Sequence, residues 1–564
     1  MLLLNPSDLN GNSPDASTRE LMQKTVDFFE RKGKEAMRAS YHSKEWYSDF
    51  LEFVRENRIF AQISAPADSN LGGARWDTRR NCEFGEILAF YGLQYWYSWQ
   101  VSVLGLGPLW MSANPSIRQR TCAALDGGGI FAFGLSEKEH GADVYSSEMQ
   151  LVPQEEGRYL ARGRKYYIGN GNAAAMVSVF GKFADSNEYV FFAVDSSHER
   201  YNCIQNVCNS QSFVSEFQLE DYPVGEEDII ARGQEAWDAA LNTVNIGKFN
   251  LGFASIGICT HAFYEALDHA SNRKLYNMRV TDFPHVKRMF VDAYSRLLAM
   301  KIFGLRASDY MRSASTEDRR YLLYNPLVKM KVTTQGEDVI NLLWDVIAAK
   351  GFEKETYFEE AAVAIRGLPK LEGTVHVNIA LIIKFMANYF FNPRQYPEVP
   401  QRTDAANDDF LFDQGTTRGL GKIQFHDFRP VFESSSIPNV QIFWDQVQAF
   451  QRMLMTSPPD EHQQKNIDLL LNVGEIFSLV VYGQLILESV PHHDVSDAVV
   501  DQIFDFMVRD VTRFAAELLC KPSTSEAQIA GCRELIRKPA VDAERYDQVW
   551  NDHVLPLRGA YEAH

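Results

Sequence analysis

Glu372-Gly373-Thr374 is the strongest chemical feature of this sequence. A carboxylate followed by glycine can act as a base whose neighbouring backbone stays open to a flat ligand, because glycine adds no side chain. Three residues alone are a weak motif, and most glutamates are solvated surface charges. Weight comes from what precedes them. Gly351-Phe352 stands upstream with twenty residues from Phe352 to Glu372. Earlier still come two segments, Phe133 to Val144 and Gly163 to Asn170, in the same order along the chain. Leu371 and the apolar run Val375 to Ile383 point to partial burial of the carboxylate.

The elements that must position these residues follow from periodicity. Residues 17 to 125 read as helices: Leu21, Val26, Phe29 and Met37 recur at roughly helical spacing. Phe84, Ile87, Leu88 and Tyr91 follow i, i+3, i+4, i+7. Asp68 to Gly73 interrupts them as a loop. At Asp126-Gly127-Gly128-Gly129 the character changes to short β-type runs: Ile130–Leu135, Met149–Pro153, Tyr159–Tyr167, Met176–Phe183 and Tyr189–Val194. Helical spacing returns from Trp237, with Phe253, Ile256, Phe263 and Leu267 on one face. Pro, Gly, Asp and Thr then mark a linker, and a last helical block carries Ile467, Leu470, Val473 and Phe477. The expected fold class is α+β, mainly α. It comprises an N-terminal helical domain (1–125), a middle antiparallel β domain (126–235) and a C-terminal helical domain (236–392). A linker (393–428) and an additional helical bundle (429–564) complete it.

Bulk properties exclude several function classes. A length of 564 residues suggests roughly three or four units. Hydrophobic content of 45% provides ample core. A net charge of −18 argues against nucleic acid, whose phosphates need clustered Lys and Arg. Seven scattered cysteines suit a reducing compartment, so a cytoplasmic location is expected; Cys203 and Cys208 lack a second pair, so no metal site is expected. The first residues lack a basic segment and a sustained apolar run and do not read as a signal peptide. Ile476 to Val490 is too short to span a bilayer, so no transmembrane segment is expected.

Together these features resemble the acyl-CoA dehydrogenase family of flavoproteins over residues 17 to 395. Phe133-Gly134-Leu135-Ser136-Glu137-Lys138-Glu139-His140-Gly141-Ala142-Asp143-Val144 is similar to its Thr-Glu-Pro-x-x-Gly-Ser-Asp segment. Gly163-Arg164-Lys165-Tyr166-Tyr167-Ile168-Gly169-Asn170 is similar to its Gly-x-Lys-x-Trp-Ile-Thr-Asn segment, and Arg273-Lys274-Leu275-Tyr276 to its Arg-x-x-Phe-Gly. The resemblance implies FAD as cofactor. It also implies an acyl-CoA or acyl-carrier-protein thioester as substrate and an electron-transferring flavoprotein as acceptor. The reaction would remove an α-proton while a β-hydride leaves for the flavin, forming a trans 2,3-double bond. Glu372 would be the base. Phe133, Leu135, Ser136, Ala142, Tyr167, Gly169, Arg273, Thr374 and His376 would contact the cofactor, and Gly373, Lys248 and Asn245 the substrate. Long-chain members carry a similar C-terminal bundle, which implies a homodimer.

Several positions depart from the family's pattern. Its pyrophosphate-contacting serine is Ala142, its tryptophan Tyr167, the following threonine Gly169, and its arginine Lys248. On the arm that reaches a neighbouring subunit's adenosine diphosphate, glutamines become Pro284 and Asp345, and a Gly-Gly pair becomes Ala348-Ala349. Those changes remove donors, add methyls and add negative charge, so the far end of FAD is expected to be held differently or less tightly. Alternatives on the same scaffold are an acyl-CoA oxidase, a flavin hydroxylase and a cofactor-poor non-catalytic homologue. Glu372 counts against the hydroxylase.

Overall fold

The computed structural model describes residues 2–9 and 15–562. The chain divides into two compact units. One comprises Leu9–Asn250 and Thr403–Arg418 and contains the sheet; the other comprises Met1–Asp8, Leu251–Arg402 and Gly419–His564 and is mainly helical.

In the sheet-containing unit, α1 (Thr78–Tyr91) is followed by α2 (Leu93–Met111), which packs against the sheet. Helix α2 is buried along almost its whole length, as its apolar and aromatic sequence demands. A Cβ on Gly105 would sit 2.7 Å from the backbone of Ala132, so glycine there lets α2 lie directly against the first strand. The strands are β1 (Phe131–Gly134), β2 (Gln150–Pro153), β3 (Arg158–Gly169), β4 (Met176–Phe183), β5 (Tyr189–Val194), β6 (Tyr201–Asn206), β7 (Val214–Gly225) and β8 (Ile229–Arg232). They form one sheet in the order β6-β7-β3-β2-β4-β5-β8, with β1 paired to β4. The sheet is mixed where a purely antiparallel one was expected, because β4 runs parallel to β1 and to β2. In chain order, strand β3, antiparallel to β2, carries the chain back between the parallel strands β2 and β4. Ala132, Leu151, Val177, Val179, Phe192, Phe217 and Leu219 form its core.

Residues 403–418 carry linker-like composition yet belong to this unit. Their polar side chains bind backbone: Asp408 accepts from the Thr78 N–H (2.7 Å) and Asn407 from the Trp76 N–H (2.9 Å). The long helix α3 (Gly233–Asn272) contributes its first part, to Asn250, to this unit.

The helical unit is built on α4 (Pro284–Arg312), α5 (Thr333–Ile347) and α6 (Phe358–Gly367), followed by α7 (Val375–Phe391). The later helices α8 (Pro438–Thr456), α9 (Ile467–Ser489) and α10 (Asp497–Leu519) pack as a bundle, and α9 also packs on α4 and α7. Helix α9 is longer than the apolar run visible in sequence and is long and apolar enough to cross a membrane, although most of it is buried inside the unit. Buried ion pairs tie the bundle to α4: Arg296 donates to Asp510 (2.9 Å) and Arg306 to Glu488 (3.1 Å).

Candidate active site

The expected site residues divide between the units. Phe133, Leu135, Ser136, Ala142, Tyr167, Gly169, Asn245 and Lys248 belong to the sheet-containing unit, and Arg273, Glu372, Gly373, Thr374 and His376 to the helical one.

In the helical unit, Glu372 occupies the loop between the short turn Leu368–Lys370 and α7. Its φ is +52° and that of Gly373 is +86°, so two successive residues adopt left-handed backbone. Glycine does so freely; a glutamate does so at a cost of about 1–2 kcal/mol. Both residues are half-buried. Thr374 caps α7, its side chain accepting from the Val377 N–H (3.4 Å). Thr374 and His376 are exposed. Two buried side chains hold the turn from beneath. The amide of Asn378 donates to the carbonyls of Gly373 (3.1 Å) and Thr374 (2.9 Å), and Lys329 Nζ donates to those of Pro369 (2.7 Å) and Gly373.

The arm of the same unit carries Arg273 just after α3, exposed, with Nη1 3.5 Å from His269 Nε2. Burial and then the charges of Arg273 and Lys350 lower the His269 pKa. Tyr276 and Asn277, both at positive φ, turn a two-residue hairpin that leaves Tyr276 91% exposed. Pro284 is the first residue of α4 and supplies no N–H. Ala348 follows α5 at φ +55°, ψ −136°, a conformation suited to glycine.

In the sheet-containing unit, β1 ends in a fixed platform. The Ser136 hydroxyl donates to Tyr166 O (2.7 Å), and the Tyr166 N–H donates to Ser136 O (3.0 Å). Phe133 and Leu135 are half-buried, and Ala142 is exposed. Tyr167 has φ +64° and is 59% exposed, which presents its ring at the surface. Gly169 faces α2: a Cβ there would lie 2.7 Å from Tyr97 and from Val101. Lys248 is buried and Asn245 half-buried on α3.

Three residues that the motifs contain, but to which sequence reasoning gave no role, organise this platform. Lys165 is fully buried and donates to Leu135 O (3.0 Å) and Glu137 (2.7 Å). Glu137 also accepts from the Ser147 hydroxyl (2.7 Å) and the Glu148 N–H (2.8 Å). Asn170 donates to Ser98 O, Ser102 Oγ and Phe131 O, joining the end of β3 to α2 and β1. The available signal was their place in the resembling segments: Glu137 after Ser136 in the first, Lys165 and Asn170 at the Lys and Asn of the second. Glu137, His140 and Glu148 lie close enough to gather round a cation, but Glu137 is already occupied by Lys165.

Residues 235–387 match the family described as acyl-CoA dehydrogenase, C-terminal domain. Rat mitochondrial very long-chain specific acyl-CoA dehydrogenase is 23% identical over 372 residues, covering 63% of this chain and 55% of that protein. The chain thus spans little more than half the length of that relative. Caffeyl-CoA reductase-Etf complex subunit CarC of Acetobacterium woodii is 25% identical over 48% of this chain and 76% of its own. An acyl-CoA dehydrogenase from Bacillus anthracis, solved in complex with FAD, superposes with a TM-score of 0.76 at 16% identity. That match covers 99% of this chain and 97% of the other, additional bundle included.

Proposed function

We propose an FAD-dependent dehydrogenase of acyl thioesters, from the match of residues 235–387 to the acyl-CoA dehydrogenase C-terminal domain family and from a fold shared with a solved acyl-CoA dehydrogenase. It introduces a trans double bond between the α and β carbons. The observation that supports this reading most is the setting of Glu372: a half-buried carboxylate on a left-handed turn fixed by buried donors. An α-proton is weakly acidic, so its removal needs a carboxylate that is already oriented and partly shielded from water. Glu372 accepts that proton, and its backbone N–H is assigned to the thioester oxygen, where enolate-like charge develops. Gly373 leaves the approach open, and Lys248 and Asn245 are assigned to the thioester's carrier.

The residues present fit a flavin at its ring end. Tyr167 offers an exposed aromatic face, and the Ser136 hydroxyl, donating to Tyr166 O, still has lone pairs to accept with. At the diphosphate end Arg273 offers an exposed guanidinium, while Asp345 adds like charge and Ala348 and Ala349 add methyls; the fit there is poorer. Bound in this way, FAD supplies the two-electron acceptor for the β-hydride. An electron-transferring flavoprotein is the proposed next acceptor, in keeping with the Acetobacterium relative's place in an Etf complex. A homodimer is proposed from the additional C-terminal bundle, by its resemblance to that of long-chain members.

The test is anaerobic flavin bleaching with a panel of acyl thioesters, comparing wild type with Glu372→Gln. The proposal expects bleaching by at least one thioester and its loss in the variant. Equal bleaching rates would mean another residue is the base.

A further inference from the structure

Lys329 has no exposed surface, although lysine is among the residues least often fully buried. It lies on a single turn of π-helix, Val328–Val332, between helix Tyr321–Leu327 and α5. Such turns are rare and concentrate at functional sites. Its ammonium donates to Pro369 O (2.7 Å) and to Gly373 O. Those carbonyls bracket Glu372, three residues before it and one after. Asn378, 1% exposed, donates to the same Gly373 oxygen (3.1 Å), so this carbonyl accepts from two buried side chains at once.

We infer that Lys329 is a positioning residue for Glu372, clamping the left-handed turn so that the carboxylate meets the α-carbon. The inference rests on the dehydrogenase reading. A left-handed glutamate reverts to ordinary backbone unless its surroundings over-determine it. An ammonium does this with one atom: its donors radiate from a point and reach two carbonyls four residues apart. Hydrogen bonds from an ion are also the stronger kind. A neutral amide could hold Gly373 O, as Asn378 does, without also reaching Pro369 O. Simple packing would not account for the position either, because an aliphatic side chain would fill the space without the cost of burying a charge.

The variants are Lys329→Met, which keeps the stem and removes the ammonium, and Asn378→Ala, which removes the second donor to Gly373 O. With native circular dichroism, Lys329→Met is expected to lose about 100-fold in kcat with KM within about threefold, the pattern of a misplaced reacting group. Asn378→Ala is expected to lose several-fold in kcat only. Backbone amides of residues 370–376 should exchange hydrogen at least tenfold faster in both, a readout independent of turnover. A folded Lys329→Met with kcat within threefold of wild type, or with a raised KM alone, overturns the inference. If that variant does not fold, unchanged kcat in Asn378→Ala overturns it instead. Failure of wild type to oxidise any thioester would sink the dehydrogenase reading, while amide exchange would still decide the clamp.

Discussion

Lys165 Nζ lies 2.7 Å from Glu137 Oε1, with the two side chains 0% and 7% exposed, directly under the strand end that carries Leu135 and Ser136. Burial pulls the Lys165 ammonium down to about 8 even though Glu137 works to raise it. Burial pushes the Glu137 carboxyl up, but the charge and hydrogen bond of Lys165, with Glu148 N–H and Ser147, outweigh it and hold it low. The pair therefore matters most when broken.

Lys165→Met should destabilise the protein by about 3–5 kcal/mol, because it strands a buried carboxylate. Adding Glu137→Leu should restore much of that loss. Urea unfolding of the singles and the double variant measures the coupling. Additive losses would show that the two groups do not depend on each other.

Acid should loosen the attachment of the bundle through Glu488. Its carboxylate accepts from Tyr310 (2.7 Å) and Arg306 (3.1 Å) and lies 2.8 Å from His426 Nε2. Burial raises its pKa, but His426, Arg306 and Tyr310 outweigh that and bring it down to about 2. The unfolded value is about 4.3, so this stabilisation, about 3 kcal/mol, is complete above pH 4.3 and is lost as pH falls toward 2. Glu488→Gln should be less stable than wild type at pH 7, with a difference that shrinks below pH 4. Melting curves between pH 7 and pH 3 check both points.

The layers were legible because their periodicities differ: helical spacing before Asp126 and after Trp237, alternation between. Five strand runs were readable, but β6, β7 and β8 were not. Strand β6 is a mostly polar edge strand, and β7 is broken by Asp221 at φ +54°, beside a register shift, and by Pro223. Both parallel pairings of β4 depend on which strands the connections bring side by side, which composition does not encode. Segment 403–418 has linker composition because its Asn and Asp side chains serve backbone N–H groups, a use that looks the same as solvation in a sequence. Of the candidate site, the Glu372-Gly373-Thr374 motif can be picked out of the sequence. Lys329 cannot, since neither its burial nor a π turn leaves a local pattern.

Ala348 stores strain where the resembling family has glycine. At φ +55° and ψ −136° its methyl is in a region that glycine enters freely. Ala348→Gly should stabilise the protein by about 0.5–1 kcal/mol, the relief of strain less the added chain entropy. Differential scanning calorimetry measures that part. The double variant Ala348→Gly/Ala349→Gly should also bind FAD several-fold more tightly if methyls hinder the cofactor's far end. Unchanged affinity, or wild type holding about one flavin per chain after dilution, would contradict weak retention.

Glu372 should show opposite signs for stability and turnover. Its φ of +52° is costly for any residue with a Cβ. Glu372→Gly removes the Cβ and should raise stability by about 0.5–1 kcal/mol after glycine's entropy is charged. The same change deletes the proposed base and should lower kcat by a factor of about 10²–10⁴ or more. Glu372→Gln separates the two effects: it keeps the Cβ and the strain, so stability should stay near wild type while turnover falls as far. Chemical denaturation and anaerobic reduction rates on the three proteins supply both numbers. A Glu372→Gly protein less stable than Glu372→Gln would show that the turn is relaxed with glutamate in it. The left-handed backbone would then owe nothing to catalysis, whereas the opposite order means that the fold gives up stability to present a carboxylate.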